Sequence, residues 1–225
     1  YGKDLFAAAE HLERMRRSAG RLALALPLSD AEFLREVRRV QDRLPPGDHY
    51  FRIIVTRGAG AVTLDPQSAS PPLWIILGGP LDHLPEDAAR SGVAVIVASV
   101  RRNPREALDP AIKSGNYLNN LLAYAEARCA GAFDAVLLNV HGRLSEGTTS
   151  SLFLVKGGAL KTPPLSAGIL DGITRRILLA IAPGHGINAG EADLAPEDLY
   201  AADECVLAST IREIVPVVKV DNRTI

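Results

Sequence analysis

Cysteine, aromatic residues and net charge are all scarce in this sequence. Of its 225 residues, two are cysteines, Cys129 and Cys205, and 5% are aromatic. Two cysteines provide neither a disulfide framework nor a zinc ligand set, so we expect reduced thiols in the core, which favours a cytoplasmic location. Lysine and arginine number 25, and aspartate and glutamate 26. This balance predicts no general attraction to nucleic acid or anionic lipid, so any bound anion must be held locally.

Long hydrophobic runs and metal-ligand patterns are missing as well. The apolar stretches are too short and too interrupted to cross a bilayer. The five histidines have no metal-ligand spacing, so we expect no metal site. What the chain does have is a composition of 47% hydrophobic and 23% charged residues, which is typical of a globular protein with a sizeable core.

The first third of the chain predicts two helices followed by strands. The first helix spans 7–19 and ends at Gly20. The second begins at the capping box Ser29-Asp30-Ala31-Glu32 and ends before Pro45. The predicted strands, of which the last two are continuous apolar runs, span 50–56, 73–77 and 93–100.

A polar, proline-bracketed segment at 101–110 predicts a domain boundary. We therefore expect a small N-terminal domain at 1–102, a linker at 103–111 and a larger domain at 112–225. Short hairpins and helices follow in the larger domain, and the chain is expected to finish with two strands.

Two features near this boundary carry specific expectations. A helix over 116–130 opens the larger domain. Its predicted apolar face consists of Leu118, Leu121, Leu122, Ala125 and Cys129. Just before the linker, Arg101 and Arg102 are expected to be a solvated pair.

Lys113 and Glu146 are the first candidates for chemistry. Lys113 lies between the linker and a predicted helix N-terminus, among apolar and small residues. The helix dipole and apolar surroundings both disfavour an ammonium ion, which leaves an amine able to attack a carbonyl. Glu146 is one carboxylate among small hydroxylated residues, suited to a cationic partner in a cleft. Taken singly, a solvated lysine and a carboxylate on a surface loop are the commoner interpretations.

Three segments contain groups that are typical of a phosphate-binding site. Ile173 and Thr174 open a predicted helix, where unpaired N–H groups and a hydroxyl can meet an anion. Thr210 offers a hydroxyl at a strand end, and Arg14 a cation on the first helix. Each also has an ordinary alternative, as a helix cap, a turn residue or a solvated arginine.

Together and in order, these segments resemble the class IV aminotransferases, the fold type IV enzymes of pyridoxal 5'-phosphate (PLP). That group includes branched-chain aminotransferases, D-amino acid transaminases and aminodeoxychorismate lyases. The resemblance covers nearly the whole chain, and its most specific stretches are 113–120, 145–153, 162–175 and 209–217. It implies an α+β fold with PLP in the cleft between a small N-terminal and a larger C-terminal domain, and a homodimer.

The resemblance also implies a role for each candidate residue. Lys113 looks like the lysine that joins PLP and moves the proton between substrate Cα and cofactor C4′, and Glu146 like the carboxylate that keeps the pyridine nitrogen protonated. Tyr117 resembles the tyrosine that approaches the cofactor, and Leu170 the side chain on one face of its ring. The phosphate contacts would come from Arg14, Ile173, Thr174 and Thr210.

Substrate choice rests on a second set of residues. Tyr50-Phe51-Arg52 resembles the Tyr-x-Arg pattern with which branched-chain enzymes position a substrate carboxylate, and alternation puts Tyr50 and Arg52 on one strand face. The Arg-x-His pair of D-amino acid transaminases is missing from 57–66. Ile211 stands where branched-chain enzymes have alanine in Gly-Thr-Ala, so we expect it to reshape the pocket.

The implied activity is ping-pong transfer of an amino group between a hydrophobic, branched-chain L-amino acid and 2-oxoglutarate. A D-amino acid or (R)-amine transaminase and an aminodeoxychorismate lyase are the alternatives. A non-catalytic binding homologue is a third, because the family's first strands, before residue 1, and its tail, after residue 225, are absent from the sequence. Retention of both Lys113 and Glu146 favours an enzyme.

Overall fold

The chain divides into two compact units in a computed structural model that describes residues 1–84 and 86–225. The first unit is Tyr1–Asp82 and the second is His83–Ile225. No helix among the described residues is both long and apolar enough to cross a membrane.

The first unit contains two helices and a hairpin. They are α1 (Ala8–Arg21), α2 (Asp30–Gln41), β1 (His49–Thr56) and β2 (Leu73–Pro80). The predicted capping box is present, since Ser29 Oγ accepts from Glu32 N–H and Glu32 Oε2 accepts from Ser29 N–H. Gly20 does not end α1, which continues to Arg21. The strands β1 and β2 are antiparallel.

The second unit contains a sheet of nine described strands. These are β3 (Val93–Val97), β4 (Asp134–Leu138), β5 (Leu144–Gly147), β6 (Ser151–Lys156), β7 (Ala159–Thr162), β8 (Asn188–Glu191), β9 (Glu204–Ser209), β10 (Glu213–Val220) and β11 (Arg223–Thr224). Because β9 pairs with both β10 and β6, the strands β10, β3, β4, β5, β6 and β9 form a closed ring. Closure leaves no open edge in that part of the sheet.

The second unit also contains five described α-helices, the first of which precedes β3 in the chain. They are α3 (Glu86–Ser91), α4 (Arg105–Leu108), α5 (Leu118–Cys129), α6 (Ile173–Ile181) and α7 (Pro196–Tyr200). Valines and leucines of β3, β4, β6, β9 and β10 form the main core. Burial there raises the pKa of the Cys205 thiol to about 12. Of the two thiols that the sequence places in the core, Cys205 is buried there, whereas Cys129 is exposed, so that half of the prediction is wrong.

The strand predicted at 93–100 belongs to the second unit. As β3, it pairs in parallel with both β4 and β10. The predicted division after residue 102 places this strand in the N-terminal domain, whereas the structure divides the chain after Asp82. The difference arises because strand pairing over long sequence separations leaves no local signal in the chain.

The predicted apolar face of α5 is wrong. Leu118, Leu121 and Leu122 are 62%, 59% and 47% exposed, and Cys129 is also exposed. The buried side is made of Asn120, Ala123 and Ala127. The two alanines pack with Ala135 and Leu137 of β4, and only small side chains allow a helix to approach a sheet so closely.

Candidate active site

Lys113 lies on the irregular segment that connects α4 to α5. Its Nζ donates a hydrogen bond of 2.8 Å to Tyr117 Oη, and the same nitrogen is 5.5 Å from the centre of the Tyr117 ring. The segment is fixed from within, because Asp109 Oδ1 accepts from the Ala111 N–H and Ser114 Oγ from the Asn116 N–H. An amine and a phenol therefore lie within hydrogen-bond distance of each other at the end of this segment.

Glu146 lies on β5, a strand whose residues are all buried. Only 6% of Glu146 is exposed. Its Oε1 accepts from Arg102 Nε at 2.8 Å and its Oε2 accepts from the main-chain N–H of Leu170 at 3.0 Å. Burial raises the pKa of the Glu146 carboxyl, while the Arg102 charge, the Leu170 hydrogen bond and the more distant Lys113 charge oppose that rise. This is a buried acid held by two donors and close to a basic loop.

Arg102 is not the solvated arginine that the sequence predicts. It is 8% exposed, and besides Glu146 it binds Asn119, whose Oδ1 accepts from Arg102 Nη1 at 3.0 Å. The local sequence does not distinguish the two arginines at 101–102. Asn119 and Asn120 do give a signal in the sequence. Two adjacent amides in a leucine-rich helix predict polar partners, because a buried amide needs hydrogen bonds.

The N-terminus of α6 is prepared for an anion. Its N-cap, Gly172, provides no side-chain cap, and a Cβ on Gly172 would lie 2.7 Å from Ser151 Oγ. Thr174 Oγ1 is buried without a hydrogen-bond partner among the described residues. Uncapped N–H groups at a helix start, the helix dipole and an unused hydroxyl together favour binding of a phosphate.

The turn between β9 and β10 presents Thr210 and Ile211. Ile211 is 47% exposed, and Ser209 Oγ accepts from the Arg212 N–H within the turn. The Arg212 guanidinium lies 4.8 Å from the centre of the Phe133 ring, and its Nη1 is 3.7 Å from Asp134 Oδ2. The turn is thus anchored to the beginning of β4 by a buried carboxylate.

The remaining predicted residues belong to the first unit. Arg14 lies on α1 and is 6% exposed, with Nη2 at 3.4 Å from His11 Nδ1. Tyr50 and Arg52 are both exposed on the same face of β1, as strand alternation predicts. Tyr50 is paired with Gly79 of β2 and its ring covers that glycine.

The structure therefore brings several predicted residues into contact within the second unit. Lys113 donates a hydrogen bond to Tyr117, and Glu146 accepts one from the main chain of Leu170. Leu170 and the predicted phosphate contacts Ile173 and Thr174 are close in sequence at the start of α6. Among the described residues, no group of three or more histidine, cysteine or acidic side chains could hold a metal ion. The second unit supplies an amine, a buried acid and an uncapped helix start with an unpartnered hydroxyl.

Comparison with known proteins gives consistent matches. The model of the amino-transferase class IV family matches residues 1–220. A putative branched-chain-amino-acid aminotransferase of Methanocaldococcus jannaschii is 40% identical over 225 residues, which are 100% of this chain and 77% of that protein. A D-alanine aminotransferase of Bacillus licheniformis is 32% identical over the same shares of the two chains. The crystal structure of a T.th. branched-chain amino acid aminotransferase with pyridoxamine 5'-phosphate superposes with a TM-score of 0.89 at 31% identity, covering 98% of this chain and 72% of that one.

Proposed function

Because the chain belongs to the class IV aminotransferase family, we propose that it moves an amino group between a hydrophobic, branched-chain L-amino acid and 2-oxoglutarate in a ping-pong reaction. The predicted membership of this family and the predicted α+β fold are confirmed. The family's solved members include one with pyridoxamine 5'-phosphate, and PLP is the cofactor of this enzyme as well.

The described residues fit PLP on two observations. The carboxylate of Glu146 is buried and has capacity for a further donor, as a protonated pyridine nitrogen requires. The uncapped start of α6, with the unpartnered hydroxyl of Thr174, suits the phosphate. In our proposal Glu146 holds the ring nitrogen, Ile173, Thr174 and Thr210 hold the phosphate, and Leu170 covers one face of the ring.

The protein's own residues would then handle the proton. PLP, when bound, supplies an electron sink for the charge that develops at substrate Cα. Lys113 Nζ would be the base that removes the proton from substrate Cα and the acid that delivers a proton to C4′. Tyr117 Oη, at 2.8 Å, fixes the direction of that nitrogen. Glu146, as an anion, holds a proton on the ring nitrogen and so strengthens the electron sink.

The observation that carries this proposal is the buried pairing of Glu146. A carboxylate removed from water is costly unless its partners compensate. Arg102 and the Leu170 N–H compensate Glu146 and still leave acceptor positions, which suit a protonated pyridine nitrogen as a further donor. For the substrate, support comes from the branched-chain name of the archaeal relative and from the absence of an Arg-x-His pair at 57–66. The roles of Arg14, Tyr50 and Arg52 stay predictions, as do the homodimer and the cytoplasmic location.

A D-amino acid transaminase is the second candidate, because a D-alanine aminotransferase is 32% identical to this chain. The two candidates differ in the chirality of the amino acid that donates the amino group. An aminodeoxychorismate lyase differs in its products, which are an aromatic amine and pyruvate.

The test separates the two half-reactions. The protein, loaded with PLP, is mixed with L-leucine alone, and the 2-oxo acid formed is counted. Our proposal predicts one equivalent per site, and glutamate on later addition of 2-oxoglutarate. Lys113→Ala should form none, while Lys156→Ala, a surface lysine, should match the wild type. A response to D-alanine alone would support the second candidate, and binding of PLP without any turnover would support a non-catalytic homologue.

A further inference from the structure

A buried cluster in the second unit surrounds the guanidinium of Arg102. Nε of this arginine donates to Glu146 Oε1 at 2.8 Å. Its Nη1 donates to Asn119 Oδ1 at 3.0 Å and lies 3.5 Å from Asn120 Oδ1. The two charged side chains are 9% and 7% exposed. The arginine therefore directs one N–H at the acid and another at the two amides.

The amides are themselves fixed in orientation. Asn119 Nδ2 donates to the carbonyl of Arg101 at 2.8 Å, and Asn120 Nδ2 donates to the carbonyl of Thr148 at 2.7 Å. Each amide nitrogen is thus used by a main-chain carbonyl, which leaves each amide oxygen facing the arginine. If the guanidinium turned away from Glu146, Asn120 Oδ1 would lose its donor, and Asn119 Oδ1 would keep only the main-chain N–H of Asn103 at 3.3 Å.

Glu146 keeps capacity for a third partner. Arg102 occupies one position on Oε1, and the Leu170 N–H occupies one on Oε2. A carboxylate has about four acceptor positions. Two donors from different segments therefore set the plane of the carboxylate while leaving room for a further N–H.

The charge of this carboxylate depends on its neighbours. Burial favours the protonated acid, and Arg102 is the strongest of the groups that oppose this, ahead of the Leu170 N–H and Lys113. Arginine side chains stay positively charged in proteins. Without Arg102 the burial would act on Glu146 with only a main-chain N–H and a more distant amine against it.

We propose that Arg102 is a positioning residue, which keeps Glu146 ionised and aims its carboxylate at the ring nitrogen of the cofactor. This role rests on the proposed function, since it acts through Glu146. It extends the site by a residue that touches neither substrate nor cofactor. The amides of Asn119 and Asn120 complete the arrangement by holding the guanidinium.

The first test needs no cofactor. Glutamate carboxyl carbons are labelled with carbon-13 in the apoprotein, and the Glu146 signal is identified by its loss in Glu146→Gln. At about pH 7 the signal should show a carboxylate in the wild type and in Arg101→Met, the exposed neighbouring control. It should show a protonated acid in Arg102→Met. A carboxylate that remains ionised in a folded Arg102→Met protein would overturn the proposal.

The second test asks whether Arg102 acts through Glu146. Loss of an outer-shell partner costs about ten- to a hundredfold at metal sites, and we expect a loss of about that size in PLP affinity and in kcat for Arg102→Met. When Arg102→Met is added to Glu146→Gln, PLP affinity and kcat should change less than about twofold. The effects of two residues that act through each other do not add. Arg102→Lys should restore part of the loss. Additive losses would overturn the proposal.

Folding and the proposed function are separable in this design. If Arg102→Met does not fold, the double variant that removes both charges, Arg102→Met with Glu146→Gln, is compared with Glu146→Gln alone. A difference in PLP affinity above about tenfold between these two proteins contradicts the role of Arg102. A wild-type protein that neither binds PLP nor transfers an amino group overturns the proposed function. The carboxyl measurement on the apoprotein still decides whether Arg102 sets the charge of Glu146.

Discussion

Glu146 of β5 accepts a hydrogen bond from the main-chain N–H of Leu170, at 3.0 Å, just before the start of α6. This bond ties the predicted partner of the ring nitrogen to the segment that leads to the predicted phosphate site. One contact within the second unit therefore links Glu146 directly to the segment before α6.

The pH dependence of stability should report the burial of Glu146. Because burial raises the pKa of this group above its usual 4.5, the unfolded chain loses the proton first as the pH rises. The contribution of Glu146 to stability is complete below about pH 4.5 and is lost as the pH rises through the higher pKa of the folded state. Denaturant unfolding of the wild type and of Glu146→Gln, compared over this range, measures it. A constant difference between the two proteins would contradict the raised pKa.

Thr174→Val should separate binding from stability. The Thr174 Oγ1 has no partner among the described residues, so an isosteric methyl should leave the free energy of unfolding unchanged or higher. The affinity for PLP should fall about tenfold, the value of one lost hydrogen bond to a charged group. Equilibrium dialysis measures the affinity.

The matched control for that variant is Thr162→Val. The Thr162 hydroxyl is buried and donates to the Leu152 carbonyl at 2.7 Å, so this change should cost about 1 kcal/mol in stability and leave PLP affinity intact. Equal effects of the two variants on PLP affinity would contradict an anion role for Thr174.

Tyr117→Phe should slow turnover without unfolding the protein. The phenol oxygen accepts from Lys113 Nζ at 2.8 Å, and its loss frees the amine to adopt unproductive directions. We expect kcat to fall about tenfold or more, with little change in thermal stability. Tyr124→Phe, on the helix that follows this loop, should retain the wild-type kcat, and equal activity of both variants would remove Tyr117 from the site.

Asp134 should be more important for stability than any exposed acid. It is fully buried, its Oδ1 accepts from the Thr148 hydroxyl, and its Oδ2 lies near Arg212. Asp134→Ala leaves these donors unpaired and should lower the free energy of unfolding by about 3 kcal/mol. Asp203→Ala, which breaks an exposed pair with Lys156, should cost far less, because solvent screens exposed ion pairs. Similar losses of unfolding free energy in the two variants would contradict a larger contribution of the buried carboxylate to stability.

Local signals explain what the sequence predicted well. The capping box at Ser29 and Glu32 needs only residues three apart, and the structure contains both of its hydrogen bonds. The apolar run at 93–100 contains β3, in which Val93 and Val95 are buried, as a continuous apolar run predicts. The similar run at 73–77 forms β2, whose apolar side chains are mostly exposed. The resemblance to a known family located the loop of Lys113, the strand of Glu146 and the start of α6.

Long-range contacts explain the errors. The leucines of α5 form an apolar helix face, but close packing on β4 selects the alanines instead. Arg102 and Glu146 are 44 residues apart in sequence, and nothing near Arg102 indicates that it folds onto β5. Asn119 and Asn120 are evident in the sequence, but the sequence does not predict that they bind Arg102.

The identity of the lysine that bonds the cofactor tests the whole account most directly. The protein is loaded with PLP, treated with borohydride so that a cofactor–lysine link becomes a stable amine, digested and examined by mass spectrometry. We predict a phosphopyridoxyl group on the peptide that contains Lys113 and on no other. A label on Lys156, Lys161 or Lys219, or no label despite bound PLP, would contradict the assignment of Lys113 and with it the proposed mechanism.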